Sequence, residues 1–589
     1  MTPAEHSSMS ATLTQQLLAL QSKNGMWKGR LSSSAISTAV ALFALHAVDS
    51  TKHAASIERA VEWLMQTMNA DGTWGDSPES PSNMTATLLS YAALSAVGKS
   101  MKETEAYLTC CMGGMSDDAL VKGVLSYYGT DLTFSAPILV MCALSGLINN
   151  WNKIPQLPFE LAVLPQRLYK FLQLPVVSYA IPALIAVGIL RYRKGRKGLL
   201  SPIREAFIKP SWTVLDKLQP EHGGFLEAAP LTGFVALCLS GAGYKSLNAT
   251  QKAAHFLLDT QREDGSWPID TNLSSWVTAL SIRALGSNVT NTAELANTLK
   301  CNAFAFEHPF TGARSGGWGW TPLPGAVPDA DDTAGALVAL HVLLKGRYCE
   351  EVGKGIDWLL ALQNRDGGMP TFCKGWGKLP FDRSSPDISA HALLAFERWM
   401  SVLPSKRRTT CERSVKRLLR WMQKAQSPDG SWTPLWFGDQ DAPGERNPVY
   451  GTAMALEYLS ASSHKAAKPM IEKAVTFLLN AQNQDGGWGG AKNVASKVTL
   501  TARAVAALAT RQSTLTPTKL SHPALQPSAS TAAKEALQRG LDYLYLRHQA
   551  GTLTQPEPIG LYFSRLWYSE EGYNLTFTLH ALNSVSAFV

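Results

Sequence analysis

Apolar residues recur along this chain with the three-to-four-residue spacing of helix faces. Two examples are residues 356–362 and 474–481, and each is followed by a polar stretch rich in glycine. Another apolar segment comes after each polar stretch, as at residues 501–508. Because this spacing places apolar side chains on one side of a helix, the pattern predicts repeated units of helix, turn and helix.

The polar stretches share a motif of Gln, two further residues, Asp-Gly, a small residue and an aromatic residue. Asp-Gly favours a tight turn because Gly accepts a positive φ and the Asp side chain caps the next backbone amides. We expect the Gln side chain to tie the helix end to the turn and the Trp to lie over it. Full copies end at Trp267, Trp432 and Trp488, a fourth ends at Met369, and looser copies end at Trp27, Trp74, Phe225 and Trp318.

Apart from one gap of 151 residues between Trp74 and Phe225, these copies recur at intervals of about 50 residues, which is the period of a structural repeat. Helix pairs that stack at this period close into an α/α barrel or form an open solenoid. A structural role accounts for the motifs, so they predict the fold and no chemistry. The sequence therefore predicts an all-α protein built from α/α repeats.

Two regions interrupt the repeat. Residues 149–218 are rich in Pro, Leu and aromatic residues and carry a basic cluster at residues 191–197. The apolar stretch 174–190 is shorter than the roughly 20 residues of a membrane span and contains two prolines. We expect it to lie in one leaflet beside the basic cluster, and an interdomain packing element is the alternative. Residues 515–530 are rich in Pro, Ser and Thr and predict a surface loop.

Composition limits the class of protein. A chain of 589 residues with 45% hydrophobic residues predicts two or more folded domains. The net charge of +8 comes without a basic arm or a nucleic-acid-binding module, so we expect no nucleic-acid partner. Eight scattered cysteines show neither a disulfide framework nor zinc spacing. With no secretory apolar run at the N-terminus, they predict reduced thiols in the cytoplasm.

The stretch Pro328-Asp329-Ala330-Asp331-Asp332-Thr333-Ala334 carries the chemistry. Three carboxylates within four residues repel each other unless they titrate apart. A calcium loop is unsuitable, because its obligatory Gly and Glu positions hold Ala334 and Leu340. Helix capping accounts for one or two of the acids but not for three. The remaining interpretation is a Brønsted acid, since crowding keeps one carboxyl protonated until it donates.

Asp-x-Asp-Asp-Thr-Ala among such repeats resembles the class II terpene cyclases, in particular the squalene–hopene cyclase family. The resemblance implies that Asp331 is the proton donor and that Asp329 and Asp332 flank it. Asp387 and His391 match the family's Asp-x-x-x-His helix. Because residues four apart share a helix face, we expect Asp387 to hold His391 charged.

Further matches concern the substrate cavity, whose aromatic faces stabilise a carbocation. The resemblance places Tyr450 near the acid. It assigns the following residues to the cavity wall: Trp276, Trp320, Phe372, Tyr179, Tyr562 and Trp567.

The fold implied by the resemblance is two α/α barrels in the double-barrel β/γ architecture. The implied divisions are 1–30, a helix that packs with the C-terminal barrel, 31–260, an inserted barrel with the membrane segment, and 261–589, the barrel with the acid.

The implied reaction is metal-independent polycyclisation of a hydrophobic polyprene, with no cofactor, by a monotopic protein on the inner face of the membrane. A homodimer is one arrangement open to it. Segments 438–446 and 555–560 depart from the family pattern, so squalene and a prenylated aromatic both remain candidate substrates. Alternatives are a Mg²⁺-dependent cyclase of a prenyl diphosphate and a non-catalytic prenyl-binding scaffold.

Overall fold

Helices make up nearly all regular structure in this protein. The computed structural model describes residues 1–165, 168, 171, 180–308, 311–372, 382–513, 527–561 and 565–586. Part of the predicted membrane segment at 174–190 and most of the predicted loop at 515–530 lie outside these ranges.

The first eleven α-helices are α1 (Pro3–Ala19), α2 (Ala35–Asp49), α3 (Ala54–Gln66), α4 (Met84–Ala96), α5 (Lys102–Met112), α6 (Asp117–Tyr128), α7 (Leu132–Leu144), α8 (Ile181–Lys194), α9 (Ser201–Leu218), α10 (Ala229–Gly241) and α11 (Asn248–Thr260).

The next eleven are α12 (Ser274–Leu285), α13 (Thr292–Cys301), α14 (Ala330–Leu343), α15 (Glu350–Leu362), α16 (Pro386–Trp399), α17 (Ser405–Ala425), α18 (Pro448–Ser460), α19 (Ala467–Ala481), α20 (Val498–Ser513), α21 (Pro527–Gln549) and α22 (Tyr573–Val585).

Six of these helices close into a ring in the C-terminal part of the chain. Helices α12, α14, α16, α18, α20 and α22 each pack on the next, and α22 returns to α12. Outer helices cover the ring, among them α1, which packs on α22. Residues Met9, Leu13 and Leu17 of α1 belong to the same buried core as the ring. This assembly is the C-terminal barrel.

A second ring forms between residues 35 and 260. Helices α2, α4, α7, α8 and α10 pack in sequence, and α10 closes the ring on α2. Helices α3, α5, α6, α9 and α11 lie outside it. Its apolar core is separate from that of the C-terminal barrel. We call this assembly the N-terminal barrel; the two rings confirm the predicted α/α class.

The inner helices are largely buried on every side, because ring neighbours cover both flanks and an outer helix covers the back. Every residue of α4 from Thr85 to Leu94 is buried. The outer helix α17 instead carries charge on its exposed face and buries Cys411, Val415 and Leu418. This division between all-round and one-sided burial follows the apolar pattern of the sequence.

The repeated turns join the two layers of each barrel. Gln426 Nε2 donates to Gly430 O of its own turn and to Met470 O of the next outer helix, both at 2.9 Å. The Asp429 carboxylate accepts from Ser431 N at 3.0 Å, and Gly430 has a φ of 91°. Trp432 Nε1 donates to Met422 O at 3.0 Å. The expected roles of Gln, Asp, Gly and Trp in the turn are therefore confirmed.

Smaller elements complete the described ranges. Three short antiparallel strands, which an all-helical prediction does not include, are β1 (Phe437–Gly438), β2 (Ile559–Leu561) and β3 (Leu566–Tyr568). Single 3-10 turns occur at Trp151–Lys153, Phe159–Val163, Gly286–Asn288, Met400–Val402 and Pro443–Glu445. None of the helices described is both long enough and apolar enough to cross a bilayer.

Candidate active site

The acid motif forms the first turn of inner helix α14. Asp329 is the N-cap residue, and its Oδ1 accepts a hydrogen bond from Asp332 N at 2.8 Å. Asp329 N donates to Trp318 O at 3.0 Å, and Ala330 N donates to Thr371 O at 2.8 Å. These bonds use one of the three carboxylates for capping and fix the direction of the other two.

Asp331 lines a cavity and also has a hydrogen-bond partner on a neighbouring helix. Its Oδ1 lies 2.6 Å from His391 Nδ1, and its side chain is 16% exposed while that of His391 is 3% exposed. His391 comes from α16, the next helix of the ring. The hydrogen bond occupies one carboxyl oxygen and leaves the other for a proton that moves into the cavity.

The imidazole of His391 is held between aromatic rings. It stacks on Tyr458 with centroids 4.8 Å apart at 18°, and Trp276 meets it edge-on at 6.2 Å. The Arg283 guanidinium lies 4.6 Å from the ring centroid of Tyr458 and makes a cation–π contact with it. These contacts fix the ring plane that faces Asp331.

A buried ion network stands behind that stack. Glu457 Oε1 accepts from Arg283 Nη2 at 2.5 Å and lies 2.6 Å from His580 Nε2. Burial acts to raise the pKa of Glu457, but Arg283 and His580 outweigh it, so the net shift is downward. Glu457 therefore stays ionised and keeps the Arg283 side chain in place under Tyr458.

Burial changes the titration of the acid motif itself. It raises the pKa of Asp329 and of Asp332, and repulsion among the three neighbouring carboxylates adds to both shifts. Asp329 Oδ2 and Asp332 Oδ1 are buried without a hydrogen-bond partner. Neutral carboxyls next to Asp331 lower the electrostatic cost of the charge that remains after it donates a proton.

Asp387 does not make the contact with His391 that the i, i+4 spacing predicts. Its Oδ1 accepts instead from Ser385 Oγ at the start of α16, and its Oδ2 is buried with no partner. Burial, followed by the charge of Asp331, raises its pKa to about 7. His391 Nδ1 contacts Asp331 of the neighbouring helix α14 instead, so Asp387 and the acid influence each other through their charges rather than through the imidazole.

Tyr450 lies behind the cavity wall. It is 1% exposed, and its ring centroid is 4.7 Å from that of Phe437, which does line the cavity. The Arg503 guanidinium sits 5.9 Å from its centroid. Burial raises the pKa of Tyr450 well above its ordinary value, so the phenol is neutral.

Asp331 faces an apolar cavity of about 310 Å³. Both barrels contribute to its wall, which is mostly apolar. The N-terminal barrel provides Ile36, Thr85, Leu89, Tyr128, Phe134 and Ile138 among others. The C-terminal barrel and its loops provide Leu273, Trp276, Trp320, Phe372, Ile388, Trp436, Phe437 and Tyr568.

The aromatic rings of the wall form a connected group near the acid. Trp320 meets Phe372 edge-on at 6.3 Å, and Phe372 meets Trp436 at 5.3 Å. Trp276, Trp320 and Phe372 therefore lie where the resemblance places them. Aromatic rings in this wall can stabilise a cation formed next to Asp331.

Trp567 is not part of this wall. It is 1% exposed on strand β3, and its backbone N donates to Asp76 Oδ2 at 2.6 Å. Because successive side chains of a strand point to opposite faces, its neighbours Leu566 and Tyr568 line the cavity instead. Tyr179 and Tyr562 lie outside the described residues.

Sequence reasoning missed three side chains at this end of the cavity: Trp436, Tyr568 and Asp270. Asp270 lines the cavity and its Oδ1 is buried without a partner. Burial, followed by the charge of Glu227, raises its pKa well above the ordinary value. Asp270 follows the repeat motif that ends at Trp267, and nothing in the sequence indicated that it reaches the cavity.

Within the described ranges, no group of three or more His, Cys, Asp or Glu side chains is arranged to hold a metal ion. The site instead combines a hydrogen-bonded carboxyl, neutral neighbouring carboxyls and an apolar chamber with aromatic walls. Such an arrangement can deliver a proton to an apolar molecule and keep water away from the cation that results.

Comparison with known families gives a match in each half of the chain. The squalene-hopene cyclase N-terminal domain matches residues 11–108, and the squalene-hopene cyclase C-terminal domain matches residues 305–587. The second match contains the acid motif, His391 and Tyr450.

Three individual proteins illustrate the likeness. A probable squalene–hopene cyclase of Sinorhizobium fredii is 24% identical over 81% of this chain and 82% of its own length. Enfumafungin synthase of Hormonema carpetanum is 24% identical over 80% of this chain, which spans only 41% of that protein. The solved structure of an ent-copalyl diphosphate synthase from Streptomyces platensis has a TM-score of 0.56 at 19% identity, with 99% of each chain covered, and shares the fold.

Proposed function

The chain belongs to the squalene–hopene cyclase family of class II terpene cyclases, and on that premise we propose that Asp331 protonates the terminal alkene of a polyprenyl substrate. The observation that carries the proposal is the Asp331 carboxyl, paired with His391 at 2.6 Å, at the end of an apolar cavity. The substrate is a squalene-like polyprene or a prenylated aromatic.

Proton transfer starts the reaction. The Asp331 O–H bond breaks, the proton adds to the terminal carbon of the alkene, and a tertiary cation forms on the neighbouring carbon. His391 shares the charge of the carboxylate left behind, because its Nδ1 already contacts Asp331 Oδ1. The raised pKa values of Asp329 and Asp332 reduce the negative charge that opposes this step.

Ring closure then requires positioning more than further chemistry. The cavity wall holds the polyprene folded, so each double bond meets the cation before solvent can. Trp276, Trp320 and Phe372 offer their π-faces, each worth roughly 1–2 kcal/mol to a desolvated cation. Deprotonation or capture by water ends the cascade, and the reaction as a whole is redox-neutral, so no cofactor is required for it.

The size of the cavity orders the candidate substrates. Its volume of about 310 Å³ falls at the small end of ligand pockets, which span about 300–1,000 Å³. This supports compact polyprenes, including prenylated aromatics, ahead of squalene.

We also propose that the N-terminal barrel sits in one leaflet of the inner face of the cytoplasmic membrane. Residues 181–190 of the predicted segment are buried in inner helix α8, so this part does not lie in a leaflet. The exposed large apolar side chains are on either side of it, with Phe171 at 82% and Leu199 at 101%. Leu200 and Ile203 on the same stretch are about half exposed. The basic cluster 191–197 lies beside them and suits anionic headgroups.

Binding to vesicles that contain anionic lipid tests this placement. Phe171→Ser with Leu199→Ser is expected to release the protein from vesicles, while Leu546→Ser, an exposed leucine of α21, leaves binding unchanged. Equal retention of all three proteins would contradict the placement.

Sedimentation of the detergent-solubilised protein distinguishes a monomer from a homodimer.

The decisive experiment incubates detergent-solubilised protein in EDTA with a prenylated hydroxybenzoate, squalene and geranylgeranyl diphosphate. We expect cyclic product from one of the first two, with none from Asp331→Asn. Asp118→Asn is the matched control, because that carboxyl is 84% exposed on α6, far from the acid helix.

Other outcomes change the proposal in distinct ways. Turnover of the diphosphate alone, restored by Mg²⁺, would indicate a diphosphate cyclase. Substrate binding without product, unaffected by Asp331→Asn, would indicate a prenyl-binding scaffold.

A further inference from the structure

Asp270 places an additional carboxyl in the cavity wall near the acid. It belongs to the loop before α12, its Oδ1 is buried without a hydrogen-bond partner, and it lines the same cavity as Asp331 and Asp332. Asp270 is close enough to Asp332 for its charge to raise the pKa of that residue. The acid mechanism described above gives Asp270 no task.

Glu227 connects Asp270 to the other side of the wall. Its Oε2 accepts from Thr271 Oγ1 at 3.2 Å, and its backbone O accepts from Thr271 N at 3.0 Å, so it adjoins the residue next to Asp270. Its Oε1 accepts from Gly325 N at 2.7 Å. The Glu227 side chain is fully buried.

The backbone is distorted to put Glu227 there. Leu226 and Glu227 have φ values of 55° and 57°, a left-handed conformation that costs free energy for non-glycine residues. A Cβ on Gly325 would lie 2.6 Å from Glu227 Oε1, so only glycine leaves room for this carboxylate. Strain of this kind persists where the rest of the structure enforces it, and it concentrates at functional positions.

His222 takes the connection to the surface. Its Nε2 lies 2.7 Å from Glu227 Oε1, and its side chain is 32% exposed. Its Nδ1 is buried with no protein partner. The three residues His222, Glu227 and Asp270 therefore form a series of proton-carrying groups from solvent to the acid end of the cavity.

A cyclase that donates a proton in each turnover must recover one. The cascade moves positive charge away from the donor, so the proton lost in the last step is released at a distance from Asp331. The apolar wall keeps bulk water from Asp331. Building on the proposed function, we propose that His222, Glu227 and Asp270 form a proton-return route that reprotonates Asp331 after each cyclisation.

The route balances the reaction. Asp331 loses one proton to the alkene, the final cation loses one to a base or to water, and the route carries one from solvent to the Asp331 carboxylate. His222 exchanges with solvent and passes a proton to Glu227. The Thr271 hydroxyl, which donates to Glu227 Oε2 at 3.2 Å, continues the route towards Asp270, and in this route bridging water makes the steps to Asp270 and from Asp270 to the acid motif. No net charge remains, and no co-reactant is consumed.

Glu227→Gln tests the route, because it keeps the size of the side chain and one oxygen that can accept from Gly325 N, but the amide cannot carry the proton. With enzyme in excess, one turnover uses the proton already on Asp331, and we expect a rate within about twofold of the native one. With substrate in excess, we expect a burst of one product per site and then a rate lowered about tenfold or more. Asp270→Asn is expected to lower the steady-state rate in the same way.

A second measurement does not depend on turnover. On transfer to D₂O, the infrared C=O bands of the buried protonated carboxyls shift as they exchange, and we expect slower exchange in Glu227→Gln than in native protein or in Asp118→Asn. Parallel loss of single-turnover and steady-state rates, or unchanged exchange, would overturn the route. Absence of product from native protein would refute the proposed function alone, since the exchange measurement still decides the route.

Discussion

The two barrels use the same geometry where their inner helices meet the cavity, but they place different side chains there. At the second residue of an inner helix, the N-terminal barrel has Ile36 in α2 and Thr85 in α4. The C-terminal barrel has Asp331 in α14 and Asp387 in α16. Ile36, Thr85 and Asp331 all line the cavity.

This difference separates the scaffold from the chemistry. A helix N-terminus favours the ionised carboxylate, whereas burial favours the neutral acid. In the C-terminal barrel, burial and neighbouring carboxylates raise the pKa of Asp329 and Asp332, and His391 supports Asp331. The N-terminal barrel offers the same helix starts without an acid or an imidazole, so it shapes the chamber and leaves proton transfer to its partner.

The strongest test of the comparison moves the acid between barrels. Asp331→Asn is expected to lower the single-turnover rate at least about a thousandfold, because the remaining groups cannot supply the proton. Adding Thr85→Asp to that variant is expected to leave the rate as low, since Thr85 contacts the Tyr128 hydroxyl at 3.0 Å and has no imidazole partner. Recovery of product in the double variant would mean that position alone makes the acid.

The second test concerns the free-energy cost of burying Asp387, the other carboxyl at the second residue of an inner helix. Asp387 has a pKa raised to about 7, so it keeps its proton in the folded state while the unfolded chain loses it above about pH 4. Stability contributed by that proton is lost as pH rises from about 4 to 7. Asp387→Asn is therefore expected to raise the free energy of unfolding by up to about 4 kcal/mol at pH 8 and by little at pH 4.5.

Urea unfolding at the two pH values measures this effect, and Asp118→Asn, which changes an exposed carboxyl, is the control variant. An equal shift at both pH values would show that packing, and not ionisation, sets the stability of Asp387→Asn.

The third test asks whether the scaffold is equivalent in both barrels. Gln261 donates to Gly265 O at 3.0 Å and to Ser56 O of α3 at 2.9 Å, which repeats the bonds of Gln426 in the C-terminal barrel. Gln261→Ala and Gln426→Ala are each expected to cost about 2 kcal/mol in denaturant unfolding, since each leaves two carbonyls unpaired. The distribution of products should not change. A cost confined to one barrel would show that the barrels unfold separately.

The smallest expected effect compares aromatic residues of the two walls. Trp320→Leu is expected to slow product formation about tenfold, from the loss of roughly 1–2 kcal/mol of cation–π stabilisation beside the acid. Phe134→Leu, on the N-terminal side of the cavity, is expected to change the product distribution more than the rate. Matched losses of rate would mean that the cation forms midway between the walls. Chromatography of single-turnover products measures both.

Much of the fold follows from the sequence, because its determinants are local. The turn motif, the apolar periodicity and the capping Asp329 each act within one helix pair, and the structure contains them as expected. The donor and its imidazole were also within reach, since Asp331 and His391 belong to short motifs.

Contacts made between separate segments were not predictable in this way. The i, i+4 spacing placed Asp387 and His391 on one helix face. It could not indicate that the imidazole contacts Asp331 of α14 instead of Asp387. Strand β3 was not expected, so its alternation, which turns Tyr568 and not Trp567 to the cavity, was missed. Asp270 carries no motif, and only the ring of helices brings it to the acid.

The contact between α1 and α22 also constrains the order in which the parts of the protein can fold. His6 Nε2 lies 3.1 Å from Leu582 O, so outer helix α1 and inner helix α22 of the C-terminal barrel come from segments far apart in the chain. During synthesis, α1 emerges before either barrel and has no ring to cover until α22 has left the ribosome. The N-terminal barrel closes on itself between these events and can fold while translation continues. Once the N-terminal barrel has folded, α1 is tethered beside a folded domain. This tether shortens the conformational search that brings α22 into contact with α1.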